Sequence, residues 1–129
     1  MNCGMDFKMN KMLLTLPILA LSLSACSDLQ TKEQLSTLTI ENFASKACEE
    51  MLDANFEQLE VMLNKNDLKK LKKEVGDNPD SWATLSDRMS CEVKKSVPKK
   101  ERTKFYFERG VFNMDIEKVD GSYFVVDVD

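Results

Sequence analysis

Without a histidine anywhere, the chain lacks the side chain most often used as a general base and as a metal ligand. The thiols are Cys3, Cys26, Cys48 and Cys91, and no two stand in the Cys-x-x-Cys spacing of a redox or zinc pair. Cys26 closes the tetrapeptide Leu23-Ser24-Ala25-Cys26, whose small residues leave both its thiol and the peptide bond before it open to an enzyme. The amines concentrate at Lys94, Lys95, Lys99, Lys100, Arg102 and Lys104, around the single acid Glu101. Such a segment can meet phosphates or an acidic partner. A solvated loop whose charges keep a hairpin soluble is the plainer reading, and it is favoured. The acids Glu49, Glu50, Asp53, Glu57 and Glu60 read as the wet face of a helix. There is no phosphate loop, nucleophile elbow or metalloprotease helix. No enzymatic activity, metal or cofactor is expected.

The residues ahead of Cys26 have the layout of a secretory leader. Lys8 and Lys11 precede the apolar run Met12-Leu13-Leu14-Thr15-Leu16-Pro17-Ile18-Leu19-Ala20-Leu21. The run matches a leader's apolar region of roughly 7–15 residues and falls short of the about 20 that span a bilayer. With the tetrapeptide in register behind it, this N-terminus resembles that of bacterial lipoproteins. The resemblance implies cleavage before Cys26 and a diacylglyceryl thioether on its sulfur, often with a third acyl chain on the new amine. Two or three chains anchor a protein stably where one does not. Ser27, rather than an aspartate, follows the cysteine, which by the family's sorting rule implies the outer membrane, facing the periplasm.

Given that address, Cys48 and Cys91 remain as an even pair in an oxidising compartment and are expected to form one disulfide. Removing residues 1–25 leaves 104 residues with a formal charge of −5, enough for one small domain. A mildly acidic chain argues against general nucleic-acid binding.

Residues 26–39 read as a polar tether, although Thr31 and Gln34 have the spacing of a capping box. From Ile40, with Thr39 as N-cap, a helical stripe runs through Phe43, Ala44, Ala47, Cys48, Met51, Leu52, Leu59, Met62 and Leu63. A second helix is expected behind Asn66, with Leu68, Leu71 and Val75 inward and Gly76 as its stop. Asn78-Pro79 opens a third, with Trp82 and Leu85 packed inward.

The period then falls to two. Met89, Cys91 and Val93 suggest a first strand, and 103–108, 111–118 and 122–128 three more. A two-residue Arg109-Gly110 turn would pair Phe107 with Phe112, Phe105 with Met114, and Thr103 with Ile116. A three-residue Val119-Asp120-Gly121 loop would pair Ile116 with Phe124, Met114 with Val126, and Phe112 with Val128. A two-residue turn there splits the apolar residues between faces, so the longer loop is preferred. Asn113, Asp115, Glu117, Tyr123 and Asp127 then line the outer, wet face.

The expected fold is α+β, with N-terminal helices packed on one face of a three- to four-stranded antiparallel meander and one disulfide, occupying residues 40–129. This order resembles the cystatin-like and NTF2-like lipoproteins of bacteria. The segment Ile116-Glu117-Lys118-Val119-Asp120-Gly121-Ser122-Tyr123-Phe124-Val125-Val126 is similar to their final hairpin, with Tyr123-Phe124 where the usual Trp-Lys pair follows the glycine turn. The expected role is a non-catalytic binding or accessory lipoprotein of the envelope. The alternatives are an inhibitor or immunity protein that blocks a toxin or hydrolase, and an NTF2-like binder of small molecules.

Overall fold

A computed structural model describes residues 29–129, so Cys3, the leader and the tetrapeptide ending at Cys26 lie outside the described residues. Among the described residues five helices precede four strands: α1 (Lys32–Leu35), α2 (Ile40–Leu52), α3 (Phe56–Leu59), α4 (Lys65–Asp77), α5 (Pro79–Arg88), β1 (Val93–Lys99), β2 (Arg102–Phe107), β3 (Met114–Val119) and β4 (Ser122–Val128). The strands form one antiparallel sheet in the order β1-β2-β3-β4, and the class is α+β.

Most of residues 30–39 belongs to the fold rather than to a tether. The capping box forms: the Gln34 N–H donates to Thr31 Oγ1, and the Thr31 N–H donates to Gln34 Oε1. Leu35 is fully buried, and the Gln30 N–H donates to Oε1 of Gln58, a buried side chain whose amide returns a bond to the Gln30 carbonyl. A four-residue helix has little stability of its own in water. The burial of Leu35 is what holds it.

Thr39 caps α2 as expected, accepting from the Asn42 N–H. The helix does not continue to Leu63. It ends at Leu52 in a Schellman turn, with the Asn55 N–H on the Glu50 carbonyl, the Ala54 N–H on the Met51 carbonyl, and Ala54 at a left-handed φ of 55°. Asn64, not Asn66, caps the next helix, accepting from the Asp67 N–H at 2.9 Å. Gly76 lies inside α4 rather than past its end. Pro79 takes the first turn of α5, and Trp82 is held by its indole N–H, 3.2 Å from the Met51 and Leu52 carbonyls.

β1 begins at Val93, so Cys91 precedes the sheet instead of lying within its first strand. β2 and β3 pair as expected at Phe105–Met114 and Thr103–Ile116. Their connection is longer than the two-residue turn, spanning residues 108–113, and the Phe107 and Phe112 rings meet edge to face outside the ladder. The last hairpin turns on Asp120-Gly121 alone, both at positive φ, with Val119 opposite Ser122 and Ile116 opposite Val125. A bulge at Val126 then resets the register, placing Asp127 opposite Asp115 and Val128 opposite Met114. The expected pairing of Ile116 with Phe124 is therefore corrected. The inward residues near the turn are Tyr123, its ring 5.3 Å from that of Phe43, and the fully buried Val125.

The core lies between α2 and the sheet. Phe43, Ala44, Ala47, Cys48 and Met51 from the helix meet Phe105, Met114, Ile116 and Val125 from the strands. β4 gains a further neighbour at Leu63, since the Val125 N–H donates to the Met62 carbonyl and the Asn64 N–H to that of Val125. That leaves β1 as the open edge of the sheet.

Candidate functional site

Three features of the described residues bear on function: the disulfide, the charged side of the sheet, and an apolar cleft. Cys48 and Cys91 are bonded, with Cα atoms 5.6 Å apart, and no described cysteine is free. Cys48 is fully buried on the core stripe of α2, so the bond ties that helix to the segment feeding β1.

The basic residues are not a loop. Lys94, Lys95 and Lys99 lie on β1, Lys100 opens the turn with Glu101, and Arg102 and Lys104 begin β2, so the segment is a hairpin at the sheet's open edge. Every residue of β1 after Val93 is exposed. Lysines and a proline on an edge strand discourage pairing with another chain, and β1 carries Lys94, Lys95, Pro98 and Lys99.

The six basic residues divide into two sets. Arg102 Nη1 donates to Asp115 Oδ2 at 3.3 Å, and Lys104 Nζ lies 3.0 Å from Asp129 Oδ2 and 3.5 Å from Asp115 Oδ1. Asp115 is 4 % exposed; its Oδ1 accepts no hydrogen bond, so its contact with Lys104 is an ion pair without hydrogen-bond geometry. The Lys104 amine is held above its ordinary value of 10.5, chiefly by the hydrogen bond to Asp129, with the Asp115 and Asp129 charges adding and burial opposing. Lys94, Lys95, Lys99 and Lys100 form no ion pair among the described residues. The Lys95 amine sits 4.8 Å from the centre of the Tyr106 ring.

Across the outer face the charge changes sign. Asp115, Glu117, Asp120, Asp127 and Asp129 mark β3, β4 and their turn, against the single base Lys118. Asp115 pairs with Asp127, and Asn113 pairs with Asp129 through reciprocal backbone bonds. Tyr123, expected among these outer residues, faces the core, and Phe124 takes the outer position opposite Glu117, under the Lys32 amine. Among the described residues no cluster of acids and cysteines is placed to hold a metal ion.

The cleft was not apparent from the sequence. It encloses about 260 Å³ between α2, α4, α5 and the end of β4, walled by Met51, Leu63, Leu71, Trp82, Phe112 and Val128. The polar side chains at its rim are engaged locally: Asp67 accepts from Asn64, and Glu74 accepts from Asn78. Trp82 and Phe112 were the available signals, but an aromatic at helical spacing reads equally well as core. No described helix is long and apolar enough to cross a membrane. No protein-family model, curated protein or solved structure matches this chain.

Proposed function

We propose that the chain is a lipid-anchored lipoprotein of the bacterial envelope, whose small α+β domain serves a binding or accessory role without catalysing a reaction. The observation that carries this reading is the Cys48–Cys91 bond. A disulfide persists in an oxidising compartment, which is where the leader and the tetrapeptide ending in Cys26 would deliver the domain. Consuming this pair also leaves Cys26 as the one cysteine of residues 26–129 available for acylation. By the lipoprotein sorting pattern, Ser27 favours the outer membrane.

Labelling cells with a palmitate analogue tests the address. The wild-type chain should take up label, Cys26→Ser should not, and mass spectrometry should place the acyl chains on residue 26 of a product that begins there. An unmodified residue 26, or an uncut leader, would overturn the reading. Crosslinking in intact envelopes tests the role, since a binding lipoprotein should return one partner in constant ratio.

The apolar cleft supports a second reading, a carrier of small apolar molecules. Its test is the fluorescence of Trp82, the chain's single tryptophan, which an occupant of the cleft would contact.

A further inference from the structure

We infer that the β1–β2 hairpin is a docking surface for the anionic phospholipid headgroups of the membrane that carries the anchor. This inference rests on the lipid-anchored reading above and adds an orientation to it.

The first support is placement. The Lys32 amine lies 4.9 Å from the centre of the Phe124 ring; Phe124 pairs with Glu117, Glu117 with Arg102, and Arg102 with Lys99. These five residues form one row across the sheet, at the end where both hairpins turn. α1, the first element of the described chain, thus has a side chain over the β4 end of the row whose other end is the tip of the basic hairpin. Three strand spacings separate Phe124 from Lys99, about 14 Å. Gln30 is fixed to Gln58, so a fully extended stretch from residue 26 reaches only about 14 Å before the fold begins. An anchored domain would be held with this end close to the bilayer.

The second support is the division of charges. Arg102 and Lys104 are engaged by Asp115 and Asp129, whereas Lys94, Lys95, Lys99 and Lys100 belong to an exposed edge strand and turn and form no ion pair among the described residues. Edge protection accounts for the lysines and Pro98 of β1 but not for Lys100, which stands in the turn beyond the ladder. Glu117 and Asp120 lie at this end of β3 and its turn, and Glu101 is the one acid between Val93 and Phe107.

The third support is residue type. Lysines are mobile point charges, suited to a diffuse layer of phosphates, while specific protein and phosphate sites favour arginine forks and aromatic anchors. The hairpin's only exposed large apolar side chain is Val97, and the Tyr106 ring is already covered by Lys95.

Amine footprinting of the intact chain, purified from membranes and reconstituted in vesicles, tests the inference. One set contains phosphatidylcholine alone, the other phosphatidylcholine mixed with phosphatidylglycerol. On the mixed vesicles Lys94, Lys95, Lys99 and Lys100 should react several-fold more slowly than on the neutral ones, and high salt should restore their reactivity. Lys69 and Lys73 on α4 serve as internal references and should not change. Replacing Lys99 and Lys100 by Gln should weaken salt-sensitive docking by roughly fivefold per charge. Equal reactivity on both vesicles, or protection only in native envelope fragments that contain protein, would overturn the inference while leaving the anchor intact. Failure of the chain to float with either vesicle would instead remove the anchor reading, a separate outcome.

Discussion

The side-chain amide of Asn64 donates to the carbonyl of Val126, 3.2 Å away, and so joins the first turn of α4 to the bulge of β4. The same residue caps α4 through its Oδ1, and its backbone N–H donates to the Val125 carbonyl. Helix start and sheet register are set by one side chain.

Asn64→Ala should therefore cost more than an ordinary cap. Loss of an N-cap is worth about 1 kcal/mol, and each net hydrogen bond lost adds about 1 kcal/mol, so about 2 kcal/mol is expected. Urea denaturation would measure it. Asn64→Asp keeps the cap acceptor but sets a carboxylate oxygen against the Val126 carbonyl and the Asp67 carboxylate, where the amide now donates to both, and should cost at least as much as Asn64→Ala.

How much of this was legible divides by the range of the interaction. The α2 stripe from Phe43 to Leu52, the Thr39 cap, the Pro79 start and the disulfide follow from local spacing and cysteine count, and these are present. The Val126 bulge is fixed by Asn64, 62 residues earlier, which no reading of one hairpin reveals. Face matching selects the three-residue loop only where the ladder is unbroken, and the bulge at Val126 satisfies the faces of an Asp120-Gly121 turn by another route. Likewise Leu35 looked isolated in a polar stretch until long-range packing gave it a place in the core. The outer-face pairing of Lys104 depends on strand register and was hidden for the same reason.

The end of α2 was missed because its left-handed residue is an alanine. At φ 55° the Cβ of Ala54 is strained against its own backbone, at a cost of about 1–2 kcal/mol that glycine avoids. Ala54→Gly should stabilise the domain by about 1 kcal/mol, after allowance for glycine's greater freedom when unfolded. A rise in melting temperature without a change in urea m-value is the expected signature; a fall would mean the Schellman turn is absent.

Leu35→Ala tests whether the fold begins ahead of residue 40. Truncating a fully buried leucine costs about 2–5 kcal/mol, whereas the same change in a solvated tether costs almost nothing. A chain shortened to 40–129 should lose this contribution together with the Gln30–Gln58 bonds. Amide exchange at Leu35 and Ser36 would report the difference directly.

Reducing the Cys48–Cys91 bond should lower stability by up to about 4 kcal/mol, the loop-closure value for two cysteines 43 positions apart. The double replacement Cys48→Ala with Cys91→Ala should match reduced wild type within the cost of the small cavity left at Cys48. Unfolding in urea with and without reductant gives both numbers, and insensitivity of the wild type to reductant would mean that the bond does not form in the protein as isolated.

Lys104 predicts a pH dependence of definite sign. Its amine is held above 10.5 in the folded chain and titrates near that value when unfolded, so the folded state binds the proton more tightly. The resulting stabilisation is complete below pH 10.5 and is lost as the pH rises through the folded value, so Lys104 shapes the alkaline limb alone. Lys104→Met should flatten that limb. It should also lower stability at neutral pH by about 2 kcal/mol, less than the ~3–5 kcal/mol of a fully broken buried pair, because Arg102 still faces the Asp115 carboxylate. Arg102→Met with Lys104→Met would strand Asp115, at 4 % exposure, without a cation, and should cost more than the two single changes added together. Thermal melts across neutral and alkaline pH on the four chains would decide it: additive losses would mean that the two cations act on Asp115 independently.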